Sequence, residues 1–112
     1  MPDFDFDGFL DEVGQKLTEL ANETAGEFRD DAIADGKAFI EGSRARLERW
    51  TTQLAAGELS LEDFTDLLEG EKDLAELALL KRTVITKVQL NRFKDGLVGV
   101  ITSAVATQLG GP

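Results

Sequence analysis

The sequence predicts an all-α protein, a long antiparallel helical hairpin that associates into a bundle, most simply a homodimeric four-helix bundle. Three observations predict it: apolar residues recur every eleven positions in each half, one turn signal separates the halves, and the second half is apolar on two sides. Three helical turns hold about 10.8 residues, so residues eleven apart stay on nearly one face. The columns are Phe6, Leu17, Phe28, Phe39 and Trp50, then Leu68, Leu79, Leu90 and Ile101.

The first helix is predicted over about residues 6–56. Apolar or small residues recur across it at a mean spacing of about 3.7, near the 3.67 of an eleven-residue repeat and above the 3.5 of a heptad, so the helix should be nearly straight. Gly36 and Gly42 are places where it could break, since glycine costs about 1 kcal/mol against alanine in a helix. A break would let the chain fold back as a compact monomeric bundle. In the other interpretation Gly14, Ala25 and Gly36 form a groove that admits a neighbouring helix.

One turn is predicted at residues 57–60. Gly57 suits the left-handed conformation just past a helix end, and Ser60 followed by Asp63 has the pattern of an N-cap with an acidic third residue. The second helix should therefore start at Leu61.

The second helix is predicted over residues 61–109, as part of a single domain over residues 1–112. Gly70 marks a point at which this helix could bend. The run from Val84 to Val88 has strand propensity, but strong helix formers precede it with no turn between, so helix is expected there too.

The hairpin register can be predicted from the columns and from charge. Residues that face each other should have numbers summing to about 118, which brings the two columns together as the hairpin core. Residues 1–35 carry eleven acidic and two basic side chains, whereas residues 77–112 carry five basic and one acidic, so the same register pairs opposite charges. The ion pairs expected are Arg46 with Glu71, Asp35 with Arg82, and Asp30 and Asp31 with Lys87.

A second apolar face on the second helix needs a further neighbour. Several of its residues lie about 160–200° around the helix from Leu68, on the side turned away from the first helix. Self-association of two hairpins would cover this face, and twofold dimers are the commonest symmetry. The predicted oligomer interface comprises Leu74, Leu77, Val84, Ile85 and Val88.

Composition bounds the function. The chain has no histidine, cysteine or tyrosine, so the commonest acid–base catalyst and metal ligand are missing, and we expect neither enzymatic activity nor a cofactor. The net charge of −10 argues against nucleic acid, which binds through clustered lysine and arginine. No basic segment precedes an apolar run at the start, so a cytoplasmic location is expected. The predicted function is a non-enzymatic self-assembly, scaffold or protein–protein interaction module whose partner is itself or another protein.

A membrane- or lipid-surface role is the first alternative. The eleven-residue amphipathic repeat resembles those of lipid-surface proteins such as apolipoproteins and synucleins. Residues 96–112 carry no charge and follow Lys87, Arg92 and Lys94, so residues 96–109 could contact a membrane. This segment is too short and too polar to span a bilayer, which takes about twenty apolar residues.

A small acidic calcium-binding module is the second alternative. Asp3, Asp5 and Asp7, followed by Gly8, match the first positions of a calcium-binding loop. The twelfth position, normally a bidentate glutamate, is Gly14 here. The competing interpretation is an acidic segment that stabilises the start of the first helix through its dipole.

Overall fold

The structure is a computed structural model that describes residues 6–74 and 77–110. These residues form six α-helices and no strand, so the prediction of an all-α fold is confirmed. The helices are α1 (Phe6–Thr24), α2 (Arg29–Gly42), α3 (Arg44–Ala55), α4 (Leu61–Leu74), α5 (Ala78–Lys81) and α6 (Lys87–Gly110), with a 3₁₀ turn (Gly26–Phe28) between α1 and α2.

The helices form a bundle with four limbs. α1 packs against α2 and α6, α6 also packs against α4, and α4 packs against α3. α2 and α3 form one kinked limb, because the Ser43 N–H donates to the Phe39 carbonyl and the Ser43 carbonyl accepts from the Leu47 N–H. Successive limbs reverse direction, as in an up-down-up-down bundle. The single turn of α5 packs against α2.

The first half of the chain is not the single helix predicted over residues 6–56. Such a helix would be about 76 Å long, whereas the longest dimension of the protein is 47 Å. The chain reverses at Gly26, whose φ of +55° is a left-handed conformation that glycine adopts without steric cost. The second interruption, at Ser43, only kinks the limb. Gly36, one of the predicted breaks, lies inside α2.

α1 and α2 approach each other closely at Gly36. A Cβ atom placed on this glycine would lie 2.6 Å from Cδ1 of Leu17, so a larger residue would have to displace that leucine. Of the small residues in the predicted groove, Gly36 thus lies close to another helix, α1 of the same chain, whereas Gly14 lies on α1 itself and has no atom of another segment within 4 Å of its Cβ position.

The turn between α3 and α4 has the form that the sequence predicts. Gly57 has φ +78°, and α4 starts at Leu61. The Ser60 hydroxyl accepts the Asp63 N–H at 3.0 Å, and the Asp63 carboxylate accepts the Ser60 N–H at 3.4 Å. These reciprocal bonds form a capping box. α4 then continues through Gly70.

The second half of the chain is not the single helix predicted over residues 61–109. Only α5 is helical in the described part between α4 and α6, and residues 82–86 are not helical. The Thr83 hydroxyl donates to the Leu80 carbonyl at 2.7 Å and accepts the Ile85 N–H at 3.2 Å. Such side-chain bonds compete with the helical hydrogen bonds of the backbone. Local chemistry therefore outweighs the helical context on which the prediction relied.

A capping box also starts α6. The Thr86 hydroxyl accepts the Gln89 N–H at 3.1 Å, and the Gln89 side-chain oxygen accepts the Thr86 N–H at 3.2 Å. Threonine followed three residues later by glutamine is a recognised helix-start pattern. The sequence therefore contained a signal for this boundary that the hydrophobic spacing concealed.

Two clusters of buried side chains form the core. The first joins α1, α3, α4, α6 and the end of α2, with the rings of Trp50 and Phe64 packed edge to face at 6.3 Å between centroids. The second joins α1, α2, α5 and α6 around Leu17, Leu80 and Phe93. Leu17, Trp50, Leu68 and Ile101 of the predicted core are buried, and Phe6, Phe28, Phe39 and Leu90 are half-buried against the clusters.

Leu79 does not take the core position predicted for it. Its side chain is 38% exposed, and its neighbour Leu80 is fully buried instead. The interruptions on both sides of α5 change its rotation relative to α4 and α6, so a spacing of eleven no longer keeps Leu79 on the face of Leu68 and Leu90.

Two contacts have the register that the hairpin predicts. Arg46 pairs with Glu71 at 2.5 Å, and the Lys16 ammonium donates to the Ser103 hydroxyl at 2.8 Å, so the residue numbers sum to 117 and 119, close to 118. α3 therefore faces α4, and α1 faces α6. Because the chain also reverses at Gly26, one chain supplies the four helical limbs that were expected from a dimer of two hairpins.

Candidate interaction surfaces

A buried carboxylate fixes α5 on α2. Asp35 is 5% exposed, and its Oδ1 and Oδ2 accept the N–H groups of Leu79 at 3.1 Å and Leu80 at 2.7 Å. N–H groups in the first turn of a helix have no carbonyl partner within it, and a negative charge is favourable there. The ion pair predicted between Asp35 and Arg82 is not among those formed within the described residues, because the carboxylate binds these backbone groups instead. Asp35 thereby anchors the segment that leads into residues 82–86.

Sequence reasoning missed this role, although the spacing contains a signal for it. Asp35 follows Ala32 by three residues and precedes Phe39 by four, which places it on the buried side of α2. The remaining predicted acidic pairs are absent from the described ion pairs too: Asp30 lies 3.9 Å from Arg29 rather than beside Lys87.

The start of α6 and the loop before it expose two aliphatic side chains far more than any other described part of the chain. Val84 is 87% exposed and Val88 is 61% exposed, whereas the other exposed large apolar side chains reach at most 40%. Exposed cations lie beside them in the sequence and one helical turn beyond. We call this surface the basic edge, and define it as Val84, Val88, Lys81, Arg82, Lys87 and Arg92.

The cations of the basic edge have no acidic partner among the described residues. Lys81, Arg82, Lys87 and Arg92 form none of the ion pairs of the structure, whereas Lys72, for example, pairs with three carboxylates. In a chain of net charge −10, a run of unpaired cations beside exposed valines is a local exception. Such a surface is complementary to one that is both anionic and apolar.

The predicted oligomer interface is divided by the structure. Val84 and Val88 are exposed as an interface requires, but Leu77 is only 5% exposed and belongs to the second core cluster. Ile85 is half-buried against the same cluster, and the side chain of Leu74 lies outside the described residues. The face was predicted for a continuous helix. The interruptions around α5 turn part of it inward.

A groove with an acidic rim runs between α1 and α6. Leu20 and Val100 give it an apolar floor, and the carboxylates of Glu19 and Glu23 lie along its α1 side; its volume is about 330 Å³ and it is open to solvent. Gly99 leaves the floor open, because no atom lies within 4 Å of the position that a Cβ would take. We call this the acidic groove; the remaining lining residues are Lys16, Gly96 and Ser103.

A second groove lies between α1 and α2. It has a volume of about 270 Å³ and is lined mainly by apolar groups, with one lysine and one glutamate at the rim. Gly14 leaves this groove open in the same way as Gly99 does the first. The charges of opposite sign on its rim give it no net preference for a cation or an anion. The lining residues are Leu10, Gly14, Leu17, Lys37, Ile40 and Glu41.

The candidate calcium ligands are not brought together in the described part of the chain. Asp7 is exposed in the first turn of α1, and Asp3 and Asp5 lie outside the described residues. Among residues 6–74 and 77–110, no group of three or more acidic side chains could hold a metal ion. The described contacts thus contain no observation that favours a metal site.

The apolar side chains of the predicted membrane segment, residues 96–109, lie largely in the core. Leu97, Val98, Ile101 and Val105 are each at most 5% exposed. In the part of the chain that the structure describes, no helix combines the length and the apolar character needed to cross a bilayer. Buried side chains of this segment are not available to a lipid surface while the bundle is folded.

The basic edge and the acidic groove are therefore the two surfaces from which a function can be argued. Comparisons of the chain with protein-family models, with curated proteins and with solved structures found no match. Both surfaces are accessible to solvent, and their charges have opposite signs. The valines of the basic edge are exposed, and the apolar side chains of the groove, Leu20 and Val100, are half-buried.

Proposed function

We propose that this protein is a non-enzymatic self-association module that binds further copies through the basic edge. The observation that carries the proposal is the exposure of Val84 and Val88, at 87% and 61%, in a bundle that otherwise buries or half-buries most of its large apolar side chains. Burying apolar surface contributes about 25 cal/mol per Å². A contact that covers both valines therefore stabilises the associated form relative to the monomer.

Charge supports a second copy as the partner. The four cations of the basic edge have no partner in the described chain, and the chain has 22 acidic residues against 12 basic ones. Another copy therefore carries an excess of acidic side chains with which these cations can pair. The absence of histidine and cysteine from the sequence supports a binding role over a catalytic one.

The internal bundle supports association between folded units. One chain already supplies four limbs, so the contact does not have to complete the fold. We expect self-association to be reversible, and the monomer to remain helical when it is blocked. This differs from an obligate dimer of hairpins, in which separation would expose a core.

The test is the double variant Val84→Glu and Val88→Glu, with the mass in solution measured by light scattering over a wide range of concentrations. The wild type should exceed the monomer mass of 12.2 kDa increasingly as concentration rises, and the variant should stay at that mass with unchanged helical circular dichroism. Ala34→Glu with Ala38→Glu is the matched control, because it places the same charges at the same spacing on exposed positions of α2. A wild type that stays monomeric throughout, or a double variant that associates like the control, would refute the proposal.

An anionic lipid surface is the alternative occupant of the basic edge. Exposed valines beside lysine and arginine also suit an anionic membrane, where each such cation contributes about 1 kcal/mol. The net charge of −10 opposes it. In flotation with vesicles of phosphatidylcholine and phosphatidylserine, we expect the protein to stay at the bottom of the gradient. Flotation of the wild type that the double valine variant abolishes would favour the lipid function.

A further inference from the structure

The acidic groove carries the negative charge that would complement the cations of the basic edge. Glu19 and Glu23 are exposed on its rim and form no ion pair within the described residues, so two carboxylates are available to incoming cations. Leu20 and Val100 on its floor provide apolar contacts. The lining also contains one cation, Lys16, which is already bound to Glu12 and Ser103. The groove thus combines two carboxylates without an ion pair with apolar surface, as the basic edge combines unpaired cations with valine.

We propose that the acidic groove of one copy receives the basic edge of the next, so that the copies associate head to tail. This inference rests on the proposed function and specifies its receptor surface. The exposed valines fill the space above the groove floor, and cations of the edge lie against the Glu19 and Glu23 carboxylates. Opposite charges select the orientation and speed the encounter, while the apolar contact supplies most of the affinity.

The shape of the groove suits side chains of another protein better than a small molecule. Its volume of about 330 Å³ is at the lower end of ligand pockets, about 300–1,000 Å³, and it is open along one side instead of enclosing a ligand. Gly99 is what keeps it open. The exposed position of this glycine on α6 leaves room that any larger residue would fill.

The groove cannot be filled by the edge of its own chain. Val88 and Gly99 both lie on α6, eleven residues apart, which corresponds to about 16 Å along a rigid helix. The contact is therefore between different surfaces of different copies. In the head-to-tail arrangement each pair leaves one edge and one groove free, so rings or open chains can grow from it. A twofold pair, in which each groove receives the edge of the other copy, would stop at a dimer.

Filling the groove tests its role without disturbing the fold. We expect Gly99→Leu to weaken association about tenfold or more, measured by sedimentation equilibrium. The variant should fold at least as stably as the wild type, because no atom lies within 4 Å of the new Cβ and leucine favours helix over glycine. Gly14→Leu is the matched control, since it fills the groove between α1 and α2 from an equally open glycine and should leave association unchanged.

Charge reversal tests which surfaces meet. We expect Glu19→Lys with Glu23→Lys to be monomeric alone, because its groove repels its own edge. Lys87→Glu with Arg92→Glu should be monomeric alone for the converse reason. Mixed together, the first variant has an intact edge and the second an intact groove, and the two reversed surfaces also carry opposite charges. The mixture should therefore contain a heterodimer of about 24 kDa, twice the chain mass, and larger assemblies in which the two variants alternate. Added salt should weaken the heterodimer by screening these pairs.

The outcomes separate this inference from the proposed function. If the double valine variant is monomeric while Gly99→Leu and the glutamate variant still associate, the edge binds elsewhere and the head-to-tail contact is wrong, although self-association stands. A mixture of the two charge-reversed variants that stays monomeric also overturns it. A wild type that is monomeric at every concentration removes both proposals. Flotation with anionic vesicles that is lost in Lys87→Glu with Arg92→Glu would assign the edge to lipid instead.

Discussion

The connection between α3 and α4 and the connection between α5 and α6 have the same backbone chemistry and opposite surfaces. Each ends in a capping box, formed by Ser60 with Asp63 in the first and by Thr86 with Gln89 in the second. The first adjoins limbs whose charges pair and whose aromatic rings meet in the core. The second exposes valines and unpaired cations. Both connections thus start the next helix in the same way and differ in what their side chains expose.

In this protein the binding connection is distinguished by its side chains and not by its backbone. A capping box forms at the end of both connections, so backbone capping does not distinguish a structural connection from a binding one. The two connections are distinguished by whether their apolar and charged side chains have partners. The connection that leaves apolar groups and charges without partners is the one available to another molecule.

The largest loss of stability should come from a change beside the connection between α3 and α4, where the side chains are paired and buried. Phe64→Ala removes a fully buried ring that packs edge to face on Trp50, and should lower the free energy of unfolding by about 3–5 kcal/mol. Urea unfolding followed by circular dichroism measures it. Leu67→Ala is the control on the same helix, 38% exposed, and should cost less than half as much. Equal losses from the two variants would mean that the first cluster is not the rigid end of the bundle.

The second largest loss of stability should come from Asp35, which holds α5 in place before the connection that exposes the valines. Asp35→Ala leaves the N–H groups of Leu79 and Leu80 without their acceptor, which should cost about 2–3 kcal/mol. Hydrogen exchange should accelerate at these two amides before the rest of the bundle opens. Asp30→Ala is the control, because it removes an exposed acid in the first turn of the same helix, and it should change stability little. Protection of Leu79 and Leu80 that survives Asp35→Ala would show that α5 is held by its side chains alone.

The two capping boxes should be equivalent. Ser60→Ala and Thr86→Ala should each cost about 1 kcal/mol, because each removes the hydroxyl that accepts an N–H in the first turn. Ser60→Thr and Thr86→Ser keep a hydroxyl and serve as controls. Thermal unfolding of the variants in parallel provides the measurement. If Ser60→Ala lost stability and Thr86→Ala did not, the two capping boxes would not be equivalent, and the start of α6 would be fixed by packing instead.

The smallest effect concerns an ion pair between α4 and α6. Hydrogen bonds to Glu69 and to Asp95 raise the pKa of Lys72 above its ordinary value of 10.5, so folding favours the charged lysine. Its contribution is fully present below that ordinary value and fades as pH rises through the raised one. Lys72→Met should therefore cost at most about 1 kcal/mol at neutral pH, with the difference from wild type shrinking in strong alkali.

Lys37→Met is the control for that comparison. Lys37 is exposed and forms no ion pair within the described residues, so its variant should track the wild type at every pH. Urea midpoints for the three proteins at neutral and alkaline pH provide the measurement. A gap between Lys72→Met and wild type that widened with pH would contradict the assigned role of the ion pair.

The glycines show why the predicted path of the chain was only partly right. Gly26 and Gly36 have the same intrinsic cost in a helix, and nothing in their immediate sequence makes one of them a reversal. Gly36 stays helical because Leu17 occupies the space beside it, a contact that exists only after the chain has reversed at Gly26. Which glycine breaks the helix is therefore a consequence of packing between limbs.

The candidate surfaces were predictable to a similar extent. The valines of the basic edge stood out as an apolar face without a neighbour, and the structure leaves Val84 and Val88 exposed. Leu77 belonged to the same predicted face, yet the interruption around α5 turns it into the core. The acidic groove was not foreseen, because it depends on α1 lying against α6, with Leu20 of α1 packed close to Gly96 of α6.

The helical fold, the start of α4 and the proximity of Arg46 to Glu71 follow from the amino-acid sequence, because they depend on short-range spacing, turn chemistry and one register. Only the tertiary structure decided that the chain reverses at Gly26 and supplies four limbs alone. The reason is physical. Spacing fixes which side of a helix is apolar, but which neighbour covers it is settled by competition among all the faces of the folded chain.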